Sequence, residues 1–204
     1  MKPVLVGEDV LRAIDLSDYR MEKKYDGIRV LVVVADQVSL WTRHKRKYRT
    51  PESILEELRR MNLPHGTVLD GELWEREKRG GWEEGDSETC QIALWDCVSL
   101  RRKDLSDQPI ERRRVALRNL VDGKSDRIWT VEDEDPSIGR IMEINEEALK
   151  DREFPGTRSG SIHGVVLKRK GSPRRDRPNR SAPHPDWLKV VFEGMKGWEP
   201  ARER

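Results

Sequence analysis

The sequence predicts an α+β domain built from antiparallel or mixed sheets with flanking helices. Segments rich in β-branched residues dominate, and helical segments fall in the gaps between them. The chain has no internal repeat of period 20–50 and no regular alternation of strands and helices, which argues against solenoids and doubly wound parallel folds. No obvious linker divides the 204 residues, so we expect a single domain over residues 1–204.

Helical spacing and β-branched runs define the N-terminal elements. A short turn separates the strands predicted at 28–36 and 38–43, which predicts a hairpin between them. Thr50 is a suitable N-cap for the clearest helix, and Pro51 suits its first position. The predicted elements are a helix at 8–16, strands at 19–25, 28–36 and 38–43, and a helix at 50–61.

The C-terminal part continues the same pattern, with polar, glycine-containing loops at 76–88 and 154–161. The helix near residue 110 begins with a proline, which favours a helix start. The predicted elements are strands at 66–75 and 89–100, a helix at 109–121, a strand at 126–132, a helix at 137–152, and strands at 162–170 and 186–193.

Charge is clustered although the chain as a whole is nearly neutral. Charged residues make up 38% of the chain and hydrophobic residues 35%, and the formal net charge is only +2. Two strongly basic segments, 43–49 and 168–180, suit a phosphate-rich ligand. Solvated surface loops are the alternative interpretation of each segment.

Cysteine content and hydropathy indicate the compartment. Cys90 and Cys97 are the two cysteines, and their odd spacing would place them on opposite faces of a regular strand. A disulfide framework or a zinc site is therefore not expected, and a reducing compartment fits. The chain has no apolar run of membrane-spanning length and no signal-peptide core, so we expect a cytoplasmic protein without membrane association.

A Lys-Tyr-Asp-Gly turn is the first motif with chemical potential. Gly27 permits close approach of the backbone to a ligand, and Asp26 can orient the turn. A neutral lysine at such a turn can act as a nucleophile, and Arg29 could direct a guanidinium to phosphate or ribose. The alternative is that Lys23 and Lys24 are surface charges at a strand end.

Four later motifs add to this pattern. In "LDGELW", Asp70 and Glu72 share one strand face and could hold a divalent metal or ribose. Trp95, beside Asp96, could stack on a purine, although packing in the core is the alternative. Lysines within the apolar strands "GVVLKRK" and "DWLKVV" need an anion if they are buried, and phosphate is the natural candidate.

Together and in this order, the five motifs resemble those of the covalent nucleotidyltransferases: ATP-dependent DNA ligases, RNA ligases and mRNA capping enzymes. The aromatic residue in "KYDG", the segment "GVVLKRKGSP" and the later "DWLKV" are most similar to an ATP-dependent DNA ligase. The resemblance implies an ATP-grasp-like nucleotidyltransferase (adenylation) domain. It also implies ATP and Mg²⁺ as cofactors, with Mn²⁺ as the alternative metal, and nicked duplex DNA as substrate. Roles in DNA repair, replication and recombination would follow.

The resemblance also assigns roles to single residues. Lys24 matches the nucleophile that forms lysyl-AMP, because only Lys24 stands two positions before Asp26; Lys23 is then a neighbour. The implied ATP or AMP contacts are Glu22 (adenine), Arg29, Arg43, Glu72, Trp95 (stacking) and Lys189 (α-phosphate). Supporting residues are Asp26, Gly27, Asp70 and Lys168, and the candidate metal ligands are Glu72 and His163. The expected nucleic-acid contacts are Arg43, Lys45, Arg46, Lys47, Lys170, Arg174 and Arg175.

Two positions depart from the family pattern. His163 stands where the family usually has a glutamate that serves a metal, and Val191 replaces the second lysine of the last motif. Histidine is a poor magnesium ligand, and loss of a cation would weaken adenylylation. We therefore expect either slow activity or a preference for manganese.

The length also departs from the family, since DNA ligases usually continue into an OB-fold domain, and about a dozen residues follow Val191 here. The expectation is a stand-alone, monomeric adenylation domain of prokaryotic, viral or phage origin, or a trimmed domain of a longer ligase. If the chain is complete, its contacts with DNA come from the basic loops or from a partner acting in trans. The alternatives to a DNA ligase are an RNA or RNA-templated ligase, or a degenerate nucleic-acid-binding module without catalysis.

Overall fold

The computed structural model describes residues 2–75, 90–152, 162–174 and 183–192. The chain divides into two compact units whose segments interleave along the sequence. The first unit consists of Met1–Tyr25, Glu132–Lys170 and Arg177–Arg204, and the second of Asp26–Val131 and Gly171–Asp176. That residues 1–204 form one adenylation domain stays a prediction, and each unit is described by itself below.

The first unit is built around a five-stranded sheet. Its elements are β1 (Lys2–Leu5), α1 (Glu8–Ala13), a 3-10 helix (Leu16–Asp18), β2 (Tyr19–Tyr25), β9 (Asp133–Glu134), α4 (Ile138–Arg152), β10 (Ile162–Arg169) and β11 (Pro183–Val191). The strand order is β1-β11-β10-β2-β9. The pair β1–β11 is parallel, and the other pairs are antiparallel.

Alternation along these strands buries one face of the sheet under the helices. Met21, Val165 and Val190 project to this face and are almost completely buried. Leu11 of α1 and Ile144 of α4 pack against them in one apolar cluster. The intervening residues of the same strands project to the opposite face, which carries the candidate site residues of this unit.

The second unit is built around a six-stranded sheet. Its elements are β3 (Ile28–Val34), β4 (Val38–Thr42), α2 (Glu52–Arg60), β5 (Thr67–Glu75), β6 (Cys90–Leu100), β7 (Lys103–Asp104), α3 (Ile110–Val121) and β8 (Ile128–Thr130). The strand order is β4-β3-β5-β6-β7, and β8 pairs with β6. The pair β6–β8 is parallel and the others are antiparallel, so the predicted mixed α+β class is confirmed.

The predicted hairpin 28–43 is confirmed, since Val34 pairs with Val38 across an antiparallel ladder. The predicted N-cap of α2 is wrong. Pro51 occupies the N-cap position itself, and the hydroxyl of Thr50 donates to the carbonyl of Tyr48 instead. The short strands β1, β7 and β9 were not predicted from the sequence.

The prediction that Cys90 and Cys97 lie on opposite strand faces is wrong. Asp70 pairs with Asp96 and Gly71 pairs with Leu94, which makes Trp95 the extra residue of a β-bulge. The extra residue reverses the alternation, and both cysteines lie in the apolar core of the second unit. Both thiols are free, as expected in the absence of a disulfide framework.

Within the described ranges, no helix combines the length and the apolar character needed to cross a membrane.

Candidate active site

Strands β2, β10 and β11 place the candidate residues of the first unit on the face opposite its apolar core. Antiparallel pairing puts directly opposed residues on the same face of a sheet. Three rows of residues cross the strands in this way: Lys24–Gly164–Val191, Glu22–Val166–Lys189 and Arg20–Lys168–Trp187. The sheet therefore brings together five of the residues that the sequence analysis singled out: Glu22, Lys24, Lys168, Lys189 and Val191.

Lys24 and Lys23 occupy opposite faces of β2. The Lys24 side chain is half-buried, and its Nζ donates to the carbonyl of Tyr25 at 3.4 Å. The Lys23 ammonium lies 3.8 Å from the Glu147 carboxylate, on the face covered by helix α4. The two lysines therefore have different environments, and only Lys24 faces the side of the sheet that carries Glu22 and Lys189.

Gly164 lies directly opposite Lys24 and adds no side chain to this face. A Cβ on Gly164 would collide with the carbonyl oxygen of Val190 on β11, so close strand approach requires glycine here. His163, immediately before it, is the extra residue of a β-bulge, because Ile162 and Gly164 pair with consecutive residues of β2.

Lys168 lies against a protein carboxylate, which supplies an anion for its buried ammonium; a contact with phosphate stays a prediction. Its Nζ lies 2.6 Å from Oε2 of Glu22, and both side chains are at most 5% exposed. The Trp187 ring lies 4.5 Å from the same ammonium, in cation–π geometry. The apolar neighbours of Lys168 predicted that it needs an anion, but not that Glu22 supplies one, because Glu22 lies far away in the chain.

A cluster of two buried carboxylates, two buried guanidinium groups and one half-buried guanidinium group lies in the second unit. Arg29 binds Asp70 in a bidentate manner, with Nε–Oδ1 at 2.9 Å and Nη2–Oδ2 at 2.5 Å. Arg174 bridges Asp70 at 2.7 Å and Asp96 at 3.4 Å. Arg113 of α3 binds Asp96 at 2.8 Å. We call these five residues the arginine–aspartate cluster.

The cluster controls the ionisation of Asp70. Burial alone would raise the pKa of its carboxyl group, but the charges and hydrogen bonds of Arg29 and Arg174 outweigh burial and hold the pKa well below its usual range. Asp70 is therefore a fixed anion that orients the Arg29 guanidinium. The roles of Asp96 and Arg113 were not predicted from sequence. The only available signal was the arginine-rich helix predicted at 109–121, which follows the strand that carries Trp95 and Asp96.

The prediction that Arg174 contacts nucleic acid is wrong. Its side chain is 3% exposed, and its guanidinium is engaged by two aspartates. The arginine-bearing segment is fixed to the unit by its backbone as well, since the Arg174 N–H donates to the Ser106 carbonyl and the Gly171 N–H donates to Glu111. Arg175, predicted alongside it, lies outside the described residues.

Lys170 is partly committed to protein contacts within the first unit. Its ammonium donates to the Ser17 carbonyl at 2.7 Å and lies 3.5 Å from the Asp135 carboxylate. The side chain nevertheless remains 44% exposed, so a contact with nucleic acid stays a prediction.

The remaining predicted residues of the second unit lie on or near strands β3, β5 and β6. Glu72 pairs with Arg29 across the strands and shares its face with Asp70, as the period-two spacing predicted. Trp95 is half-buried at its bulge, which leaves both stacking and packing open. Asp26 is exposed, and a Cβ on Gly27 would collide with the Leu73 carbonyl oxygen, so the close approach here is to strand β5.

The basic segment after β4 forms an exposed turn. The Lys45 N–H donates to the Thr42 carbonyl, and the Thr42 N–H donates to the Arg46 carbonyl, each at 2.9 Å. Lys45 itself adopts a left-handed conformation with φ of 58°. The four cations of this turn, Arg43, Lys45, Arg46 and Lys47, are all exposed, which phosphate-backbone contacts require.

No preformed metal cage exists in the part of the chain that the structure describes, since no three His, Cys, Asp or Glu side chains cluster there suitably. Of the two predicted metal ligands, Glu72 offers a half-buried carboxylate, whereas His163 offers a nitrogen ligand that magnesium disfavours. The Asp70 carboxylate is already engaged by two arginines. These residues do not fit a dedicated magnesium site, and no step below is routed through a metal.

The fold and the ordered motifs define an adenylation domain of the nucleotidyltransferase type. The family description "ATP dependent DNA ligase domain" matches residues 6–190. The chain therefore belongs to the family of ATP-dependent DNA ligase domains.

Curated relatives agree with this family. The chain is 24% identical over 185 residues to the SPbeta prophage-derived DNA ligase-like protein LigB of Bacillus subtilis, covering 85% of this chain and 61% of LigB. It is 29% identical over 184 residues to the multifunctional non-homologous end joining protein LigD of Pseudomonas aeruginosa, covering 85% of this chain and 20% of LigD.

Solved structures show the same fold. The mycobacterial DNA ligase D complexed with ATP and MES matches with a TM-score of 0.65 and 20% identity, covering 94% of this chain and 60% of that one. The chain thus spans less than two thirds of each of these three proteins.

Proposed function

We propose that this chain is the adenylation domain of an ATP-dependent polynucleotide ligase and that Lys24 is its nucleophile. The observation that carries the proposal is the position of Lys24: a half-buried amine on the sheet face away from the apolar core, opposite Gly164 and beside the row that holds Glu22 and Lys189. In this arrangement the Lys24 amine lies on the sheet face that also carries a carboxylate and a second cation.

The first step forms a covalent nucleotide. The neutral Lys24 amine attacks the α-phosphorus of ATP, an N–P bond forms, and the bond to pyrophosphate breaks. The nitrogen loses a proton, and the product is lysyl-AMP. Lys189, one row away on β11, supplies positive charge for the α-phosphate. Val191 in place of a second cation predicts a slower step than two lysines would give.

The later steps transfer AMP to nucleic acid. A 5′-phosphate oxygen attacks the lysyl-AMP phosphorus and releases the lysine, and a 3′-hydroxyl then displaces AMP to form the phosphodiester bond. The exposed cations of the turn after β4 would hold the backbone without reading sequence. We propose nicked duplex DNA as substrate and DNA repair as the setting, which the ligase and end-joining names of the two relatives support.

Other features of the proposal follow from the sequence. The cytoplasmic location, the monomeric state, the prokaryotic or phage origin and a DNA-binding partner in trans all stay predictions. RNA-containing duplexes are the alternative substrates. His163 and Val191, at positions where the family carries a glutamate and a lysine, favour a non-catalytic binding module as the second candidate.

Labelling with α-³²P-ATP tests the first step. We expect a covalent adduct with wild-type protein and with Lys23→Ala, and none with Lys24→Ala. Lys23→Ala is a matched control, because this lysine lies on the other sheet face beside Glu147. Reactions with magnesium and with manganese run in parallel would reveal any metal preference. If no adduct forms with either metal, the result would favour the non-catalytic binding module.

Sealing of nicked substrates tests the second half of the proposal. Duplexes of DNA–DNA, DNA–RNA and RNA–RNA composition would be offered to the labelled protein. We expect the nick in the DNA–DNA duplex to be sealed fastest. Preferential sealing of a nick in an RNA-containing duplex would instead indicate that the protein is an RNA ligase.

A further inference from the structure

A cleft of about 530 Å³ lies in the second unit between the β6–β7 hairpin and helix α3, and the chemistry described above does not use it. Its floor is apolar: Leu100, Leu105 and Ala116 line the cleft, and all three also pack against the core of the unit. Leu73 belongs to the same core, so its neighbour Glu72 projects to the opposite face of the sheet. The cleft therefore lies away from the face that carries this predicted nucleotide contact.

Three cations surround the floor of the cleft. Arg101, Lys103 and Arg112 line it, and each of them is exposed. Lys103 pairs directly with Leu100, so its side chain projects to the face of the floor, whereas Asp104 projects to the other face. Within the described ranges, no carboxylate lines the cleft. This combination is complementary to a ligand that carries both negative charge and an apolar side chain.

The backbone at the rim departs from the conformation that stability alone favours. Arg101 and Arg102 form the two-residue turn of the hairpin with φ of 50° and 67°, where Asn-Gly is favoured. The Arg102 N–H donates to the Gly66 carbonyl at 3.0 Å, which holds the turn in place. A strained backbone that the surrounding structure maintains points to a function of the side chains, and here the turn presents Arg101 at the cleft.

Val115 extends the apolar surface from the cleft onto helix α3. Its side chain is 56% exposed, and it lies three residues after Arg112 and next to Ala116. An apolar surface of this kind contributes to binding a protein side chain, whereas contacts with nucleic-acid backbone go to phosphate and sugar. The apolar floor therefore favours a protein ligand over nucleic acid.

The cleft is also separate from the basic turn after β4. Strands β4 and β7 are the two ends of the strand order β4-β3-β5-β6-β7. Four strand spacings lie between them, which corresponds to roughly 19 Å across the sheet. The cations of the cleft thus form a second basic surface, distinct from the one to which we assign nucleic-acid contacts.

We infer that this cleft is a docking site for an acidic segment of a partner protein. One apolar side chain of the segment enters the cleft, and carboxylates on either side of it meet Arg101, Lys103 and Arg112. The inference goes beyond the proposed ligase function and does not depend on the formation of lysyl-AMP.

Selection of peptides by the wild-type chain tests the docking site without assuming a sequence for the partner. The probe is a library of random peptides displayed on phage. We expect the enriched peptides to combine aspartate or glutamate with a large apolar residue. A fluorescein-labelled synthetic copy of the most enriched peptide is then titrated by fluorescence polarisation. Replacement of its apolar residue by alanine should weaken binding at least ~10-fold, as expected for an anchor residue in a pocket.

Arg112→Glu reverses one charge of the rim without a cost to the helix. Arg112 is exposed and lies in the first turn of α3, where a carboxylate interacts favourably with the helix dipole, so this variant should fold. Its affinity for the peptide should be at least ~10-fold lower than that of the wild type. Arg46→Glu is the matched control, because this exposed cation belongs to the turn after β4, and peptide affinity should not change.

Arg101→Asn/Arg102→Gly separates binding from folding. The double variant relieves the backbone strain and removes a cation from the rim. We expect it to melt at a higher temperature than the wild type and yet to bind the peptide at least ~3-fold more weakly. A merely structural role of the two arginines would move stability and binding in the same direction.

Two results would overturn the inference. One is failure of the library to enrich acidic peptides with an apolar residue. The other is equal affinity of the enriched peptide for Arg112→Glu and for the wild type. Titration with a nicked DNA duplex tests the alternative ligand: the docking site predicts that Arg46→Glu weakens DNA binding and that Arg112→Glu does not. If Arg112→Glu weakens DNA binding and leaves peptide binding unchanged, the cleft belongs to a nucleic-acid surface and the inference is wrong.

Discussion

Replacing Arg174 by methionine removes the guanidinium that bridges Asp70 and Asp96 in the arginine–aspartate cluster. Both carboxylates are fully buried, and the Arg174 side chain is 3% exposed. Removing one partner of a buried ion pair costs about 3–5 kcal/mol, because the remaining charge stays desolvated. Arg29 and Arg113 still compensate one aspartate each, so we expect the lower end, about 3 kcal/mol.

This loss is large enough to measure by thermal or urea unfolding at pH 7. For a chain of this length, 1 kcal/mol corresponds to a shift in Tm of roughly 2–4 °C, so Arg174→Met should melt about 6–12 °C below the wild type. Arg60→Met is the matched control. Arg60 is 68% exposed and forms ion pairs with Glu56 and Glu57, and its loss should change stability by less than about 1 kcal/mol.

The pH dependence provides a second measurement on the same pair of proteins. The pKa of Asp70 is depressed in the folded state, so its stabilising contribution is fully present above the unfolded-state pKa and is lost as pH falls toward the folded-state value. Without Arg174 the pKa of Asp70 is depressed less. The stability gap between wild type and Arg174→Met should therefore be constant down to about pH 4 and should narrow only below it, where Asp70 is protonated in the variant before it is protonated in the wild type. A gap below about 1 kcal/mol, or one that does not change with pH, would refute this account of the cluster.

Three further predictions concern other parts of the chain. Cys97 should not react with a thiol reagent at pH 8 in the folded protein, because burial, followed by the neighbouring Asp96 charge, raises its pKa to about 12. The double variant Arg101→Asn/Arg102→Gly should be more stable by about 1–2 kcal/mol, since the two arginines form a two-residue hairpin turn with φ of 50° and 67°, where Asn-Gly is favoured. Gly164→Ala should lower the Tm and the yield of lysyl-AMP together, because its Cβ would meet the Val190 carbonyl oxygen.

Each of these has a result that would count against it. Rapid labelling of Cys97 before unfolding would mean that the thiol is accessible. A Tm for the hairpin variant below that of the wild type would show that the arginines make stabilising contacts that outweigh their backbone strain. For the glycine, Gly139→Ala in helix α4 is the control, since a Cβ there meets no atom closer than 4.0 Å and should be tolerated or stabilising.

Local sequence patterns were sufficient for most of the secondary structure and for the faces of the strands. The strand of Lys24, its alternation with Lys23 and the shared face of Asp70 and Glu72 follow from a period of two, and the sheet registers agree. The alternation of side chains with a period of two breaks at Trp95 and at His163, because a β-bulge adds one residue to the strand at each position. A bulge depends on the partner strand, so the sequence of one strand does not reveal it.

The sequence by itself determined the class of the protein: the order of its motifs, the lysine in register with Asp26, and a strand-rich chain with few helices. Only the tertiary structure decided which cation meets which carboxylate. Arg174 is 104 residues from Asp70, yet their side chains form a buried ion pair rather than the surface contact expected of a basic loop. Lys168 likewise meets Glu22, a residue of a strand that is distant in the chain. Desolvation makes a buried charge require a partner, but strand pairing and chain packing choose that partner.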